Sequence, residues 1–171
     1  MRQPLRVREF LLSMLVYGAI GFGITTKTTH AQDMTPDRMG SIIFEVGTDV
    51  EVGPNFWQFQ VEGVFLMCIY DLTYDRMRII SPIIETDKMT IAQQYSMLQA
   101  NFHSALDARY AISDGIVYSA YVHPLSSLQD ADFESAIMQV AILGATFGTE
   151  YTSGALSFGG EQGEDGYEDE N

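Results

Sequence analysis

Histidine is the side chain best suited to moving a proton or holding a metal near neutral pH, and only His103 and His123 lie beyond residue 31. One falls near the end of a helical pattern and the other directly before Pro124, without the short local spacing of a zinc site, which wants three or four ligands. A Ser/His/Asp set could be drawn from Ser81 or Ser119, His123 and Asp114, but no G-x-S-x-G turn presents a serine for attack. The carboxylates Asp71 and Asp75, and Asp130, Asp132 and Glu134, fit a turn and a helix start, where negative charge favours the helix dipole. Neither group follows the calcium loop with its central Gly and terminal Glu. No catalytic residue, metal or cofactor is therefore expected. The competing class is an enzyme with a scattered, hydrolase-like site using His123.

Residues suited to holding a partner are easier to find. Arg76 and Arg78 share one face of an extended segment in a strongly acidic chain, where they would grip an acidic partner or pair with carboxylates across a sheet. Trp57 and Phe59 share a face two residues apart, and would anchor an interface if displayed or fill a core if covered by helices. These four are the candidate partner-binding residues. Cys68, the only cysteine, sits in the apolar run Val64 to Ile69 and reads as a small buried hydrophobe.

The elements that must position these residues follow from periodicity. Thr35-Pro36 suits a helix N-cap and first turn, and Met39, Ile42, Ile43 and Val46 recur at helical spacing up to Gly47. After Gly53-Pro54-Asn55, Trp57, Phe59 and Val61 alternate with Gln58, Gln60 and Glu62, as in a strand with one polar side. Val64 to Tyr70 is apolar on both faces, like a central strand, and Tyr74 to Ile83 is a third strand that Pro82 should end.

From Met89 to about Ala105 the pattern is helical, capped by Thr86 or Asp87, with Ile91, Tyr95, Leu98 and Phe102 on the apolar face. Asp114-Gly115 between two extended runs predicts a tight hairpin. Ser126, Ser127 or Asp130 would cap a last helix with an apolar stripe from Phe133 to Phe147, in which Gly144 allows close packing.

The ends of the chain carry different information. Arg2, Arg6 and Arg8 precede the apolar run Phe10 to Ile24, and Thr29-His30-Ala31 offers a peptidase site, so residues 1–31 read as a secretory signal peptide. The run is too short and glycine-rich for a retained anchor, which needs roughly 20 apolar residues, so no stable membrane insertion is expected after cleavage. Removing it changes the net charge from −14 to −17. Five remaining cations cannot neutralise a row of phosphates, which argues against nucleic acid as a partner. Residues 32–154 are the length of one domain, and 155–171 form an acidic tail, with few apolar residues after Glu161, expected to be disordered.

The order α-β-β-β-α-β-β-α implies an α+β domain with an antiparallel sheet of about five strands packed against helices. That order, and the stretch QANFHSALDARYAISDGIVYSAYVHPLSSL with Asn101, Asp114-Gly115 and the strand from Ile116 to Val122, resembles the YbjN-domain family and the related type III secretion chaperone-like superfamily. The segment Arg76 to Ile83 is similar to the family's third strand. The resemblance implies that fold and a tendency to bind proteins, often as homodimers; it carries over no catalytic or ligand residue. The function expected is an exported, non-enzymatic, protein-binding or chaperone-like domain of the periplasm or the secreted fraction, with a protein or peptide partner. The other non-catalytic alternative is a passive envelope component. Secretion chaperones act in the cytoplasm, so an export signal implies different partners.

Overall fold

A computed structural model describes residues 33–154; the expected signal peptide and acidic tail lie outside the described residues. The chain runs α1 (Pro36–Val46), β1 (Thr48–Val52), β2 (Phe56–Val61), β3 (Val64–Asp71), β4 (Arg76–Glu85), α2 (Ile91–His103), β5 (Arg109–Ser113), β6 (Ile116–His123) and α3 (Asp130–Ala145). The six strands form one antiparallel sheet in the order β1-β2-β3-β4-β6-β5. The expected α+β architecture is present, with one strand more than expected. The extra strand, β1, carries Asp49 and Glu51 and a bulge at the sheet edge. A short, charged, irregular strand of that kind resists pairing with other chains, and its alternation of Val50 and Val52 with Asp49 and Glu51 is only five residues long.

Local chemistry explains where most elements begin and turn. The Thr35 hydroxyl accepts from the Arg38 amide and Pro36 opens α1, as the sequence predicts. Asp114 (φ 50°) and Gly115 (φ 76°) both adopt the left-handed conformation that a two-residue hairpin between β5 and β6 demands. The start of α2 differs from expectation. Thr90, rather than Thr86 or Asp87, caps it in a reciprocal box with Gln93, and residues 86–88 form a separate 3-10 turn. Ser126 likewise lies in a 3-10 turn rather than at the α3 cap; Gln129 precedes α3 without a side-chain bond. Pro82 does not end β4, which continues to Glu85, because a register shift between Pro82 and Ile84 accommodates the missing N–H.

The core lies on one side of the sheet only. Trp57, Phe59 and Val61 of β2, Leu66 and Cys68 of β3 and Met77 and Ile79 of β4 point towards α1 and α3 and are buried there. Ser81 and Ser119 face each other across β4 and β6 at the closest approach of α3, where a Cβ on Gly144 would stand 3.2 Å from Ser119 Oγ and 3.5 Å from Ser81 Oγ. Small side chains on both partners let the helix sit on the strands, and Ser119 Oγ donates to the Val140 carbonyl oxygen (2.8 Å).

Candidate functional site

Among the described residues two apolar surfaces are left uncovered, and α2 carries the first. Ile91, Tyr95, Leu98 and Phe102, which the sequence places on one apolar face of the helix, are 84%, 65%, 63% and 77% exposed. The helix lies beside edge strand β5, not over the sheet, and only Met97 and Ala100 are buried. With α1 and α3 already on the core side, the stripe turns to solvent. Its spacing of four, three and four residues is that of a coiled-coil seam two heptads long.

The second surface is the side of the sheet opposite the helices. Strand register places Phe56, Ile69, Arg78 and Val122 in one row across β2, β3, β4 and β6. The next row runs Gln58, Met67, Ile80, Ala120, Arg109; beyond it Gln60 pairs with Phe65 across β2 and β3, and Pro82, Tyr118 and Ala111 align across β4, β6 and β5. Phe65 and Val122 are exposed and the residues between them mostly half-buried by one another. No helix packs on this face among the described residues, which leaves β3 with one buried side rather than the two that its sequence suggests.

The four candidate partner-binding residues separate onto the two sides of the sheet. Trp57 (6% exposed) and Phe59 (1% exposed) lie under α1, where Trp57 lines the close approach of Gly40 and Phe59 that of Gly47. They support the fold and do not reach a surface. Arg76 and Arg78 are exposed on the uncovered side. Neither pairs with a carboxylate: the two ion pairs among the described residues are Arg38–Asp130 (2.5 Å) and Lys88–Glu85 (2.6 Å). Arg76 donates to the Asp75 carbonyl oxygen, and Asp71, which faces it across the strands, accepts instead from the amides of Thr73 and Tyr74.

The residues considered for catalysis are held apart. Ser119 is buried and bonded to α3, Ser81 is buried beside it, and Asp114 and His123 lie at opposite ends of β6, roughly 30 Å apart at ~3.3 Å per residue. His123 stacks on Tyr121 and its Nδ1 donates to the Pro124 carbonyl oxygen, while His103 sits on the exposed end of α2 against Phe102. A shallow cleft lined by Asp33, Thr35, Arg38, Gln129 and Asp130 contains neither histidine and is crossed by the Arg38–Asp130 pair. Among the described residues no three His, Cys, Asp or Glu side chains converge as a metal site would need.

No protein-family model and no curated protein matches the chain. A solved structure of the ExsC–ExsE complex is similar to it. The similarity covers 65% of this chain and 91% of that chain, at 10% identity and a TM-score of 0.49. Functional conclusions therefore rest on this chain's own residues.

Two residues that the sequence marks only as a turn carboxylate and a position of the resemblance, Asp75 and Asn101, make contacts that the sequence does not predict. Asp75 (φ 51°) at the β3–β4 turn accepts from the Ser126 amide (2.8 Å) and hydroxyl (2.6 Å), clasping the turn to the segment after β6. Those two bonds from Ser126 hold its carboxyl below the usual aspartate range. Asn101, at the end of α2, accepts from the Tyr110 amide (2.7 Å) and donates to the Tyr110 carbonyl oxygen (3.1 Å), so its side chain occupies the outer edge of β5 as a strand would. A lone Asn or Asp whose partner lies at a distant place in the chain leaves no local signature.

Proposed function

We propose that the chain is an exported, non-enzymatic protein-binding domain, chaperone-like in the manner of the YbjN-type domains its sequence resembles. It works as a homodimer paired through α2, leaving the uncovered sheet faces for a protein or peptide partner. What carries this reading is the α2 stripe of Ile91, Tyr95, Leu98 and Phe102 in water. A seam at heptad spacing on a well-capped helix is self-complementary about a two-fold axis, where each copy offers the same knobs to the other. The Asn101 clasp on β5 directs pairing to the helix, because it closes the neighbouring strand edge to a second chain.

The experiment is light scattering on the chain from Gln32 onward, joined to affinity capture from an envelope extract. A dimer that loses its association when Leu98 and Phe102 become Asp, and a protein enriched by the parent dimer, are the expected results. A monomer at every concentration, with no protein enriched, would overturn the reading.

A further inference from the structure

The uncovered sheet face carries the two arginines that no carboxylate among the described residues answers, and the chain supplies six carboxylates in Glu161, Glu164, Asp165, Glu168, Asp169 and Glu170. We propose that residues 155–171 of this same chain dock on that face, their carboxylates on Arg76 and Arg78. The proposal deepens the reading of the face as a binding surface and rests on it.

Charge selects the place. Of the five cations among residues 33–154, Arg38 and Lys88 are paired with carboxylates, and Arg109 is turned onto the carbonyl oxygens of Ala105, Leu106 and Ala108. Arg76 and Arg78 remain, two residues apart on one side of β4. The carboxylates nearest in sequence are engaged, Asp71 by the backbone of its own turn and Asp75 by Ser126.

Attachment puts the segment within reach. Residue 154 is anchored at the loop that feeds β5: the Ser153 amide donates to the Ser104 carbonyl oxygen, its hydroxyl accepts from the Leu106 amide, and Gly154 lies against Leu106. Arg109 is in register with Ala120, and Ala120 with Ile80. Stepping back from Arg109 towards Leu106 therefore moves along the sheet in the direction of Arg78 and Arg76. Only two strand spacings, ~10 Å, separate β5 from β4. Seven residues from Gly154 to Glu161 reach roughly 23 Å when extended.

Composition matches as well. Leu156 and Phe158 precede the carboxylates and Tyr167 stands among them, apolar groups suited to the Ile69, Met67 and Phe65 surface beside the arginines. Tethering supplies an effective concentration on the order of millimolar, so weak contacts suffice for occupancy and an untethered partner can still compete.

The test places a nitroxide at residue 166 by Gly166→Cys in the full-length mature chain and reads backbone amide line broadening by NMR. Native Cys68 is buried and leaves the new thiol as the one labelled. At low salt, near 0.01 M, where screening extends over ~30 Å, broadening is expected on β3 and β4 around Ile69 and Arg78; it should vanish near 1 M salt, where screening acts within ~3 Å. It should also vanish in Arg76→Glu with Arg78→Glu. Should that variant fail to fold, neutralising the six carboxylates to Gln and Asn tests the same contact without touching a residue of the folded domain. Absence of broadening, or broadening confined to residues beside Gly154, overturns the proposal. So does broadening that survives undiminished in a mixture of spin-labelled unenriched chain with unlabelled isotope-enriched chain, since the segment would then lie on a second copy. Sedimentation separates the two ideas: a dimer without broadening leaves the dimer reading intact and removes this one, and a broadened monomer does the reverse.

Discussion

Leu98 offers the sharpest test of the α2 seam. Shortening it to alanine removes about three carbon groups, worth ~0.8 kcal/mol each on full burial. Because the side chain is 63% exposed in the single chain, about two-thirds of that remains to be gained on association, or ~1.5 kcal/mol per copy. A two-fold pair contains the residue twice, so Leu98→Ala should weaken the dimer by ~3 kcal/mol, roughly a hundredfold in dissociation constant. The fold itself should hardly notice, since exposed substitutions cost less than about 0.5 kcal/mol. Met97, the next residue, is buried against the domain, and Met97→Ala should cost the fold ~2–5 kcal/mol. Sedimentation velocity over a dilution series reads association and urea unfolding reads the fold. Leu98→Ala with unchanged association, or with a loss of fold stability as large as that of Met97→Ala, would refute the assignment of the stripe to an interface.

Other expectations concern the domain alone. Burial pushes the Cys68 thiol up to about 12, so the native protein should not react with a thiol reagent at pH 8 and should react fully in denaturant; rapid labelling of native protein would contradict the packing of β3 under α1 and α3. Asn101→Ala should cost ~1–3 kcal/mol through the orphaned Tyr110 amide and increase aggregation in light scattering by freeing the β5 edge. Asp75 and Asp130 have folded-state pKa values below their unfolded ones, by their bonds to Ser126 and Arg38 respectively, so each contributes stability above the unfolded carboxyl value near 3.8, lost as pH falls through the folded value. Replacing both with Asn should flatten the fall in melting temperature between about pH 4 and pH 2; an unchanged profile would count against the clasp and the pair.

The readable and unreadable parts of this fold divide along the range of the interactions involved. Thr35-Pro36 and Asp114-Gly115 announce a helix start and a hairpin because the deciding contacts are made within a few residues. Trp57, Phe59 and Val61 show a two-residue period, which established that they share a face but not whether the face is covered. The same ambiguity explains α2. Its stripe identifies an amphipathic helix, and only the places already taken by α1 and α3 turn that stripe outward. For the candidate site, Arg76 and Arg78 were found by charge contrast in an acidic chain, whereas Asp75 and Asn101 depend on partners 51 and 9 residues away.

The buried thiol on β3 turns folding into a race. Cys68 lies between Trp57 and Ile79 in register, both within a dozen residues, so its strand can pair early. The lid over that side includes α3, which begins only at Asp130, and the sulfur stays open to solvent until that later segment has docked. An unpaired cysteine in an oxidising milieu can be captured during that interval as a mixed disulfide, and the closed fold cannot accommodate such an adduct. Yield in such a milieu is then governed by the rate at which α3 closes relative to the rate of thiol capture. Replacing Cys68 with alanine would trade some packing for freedom from that competition.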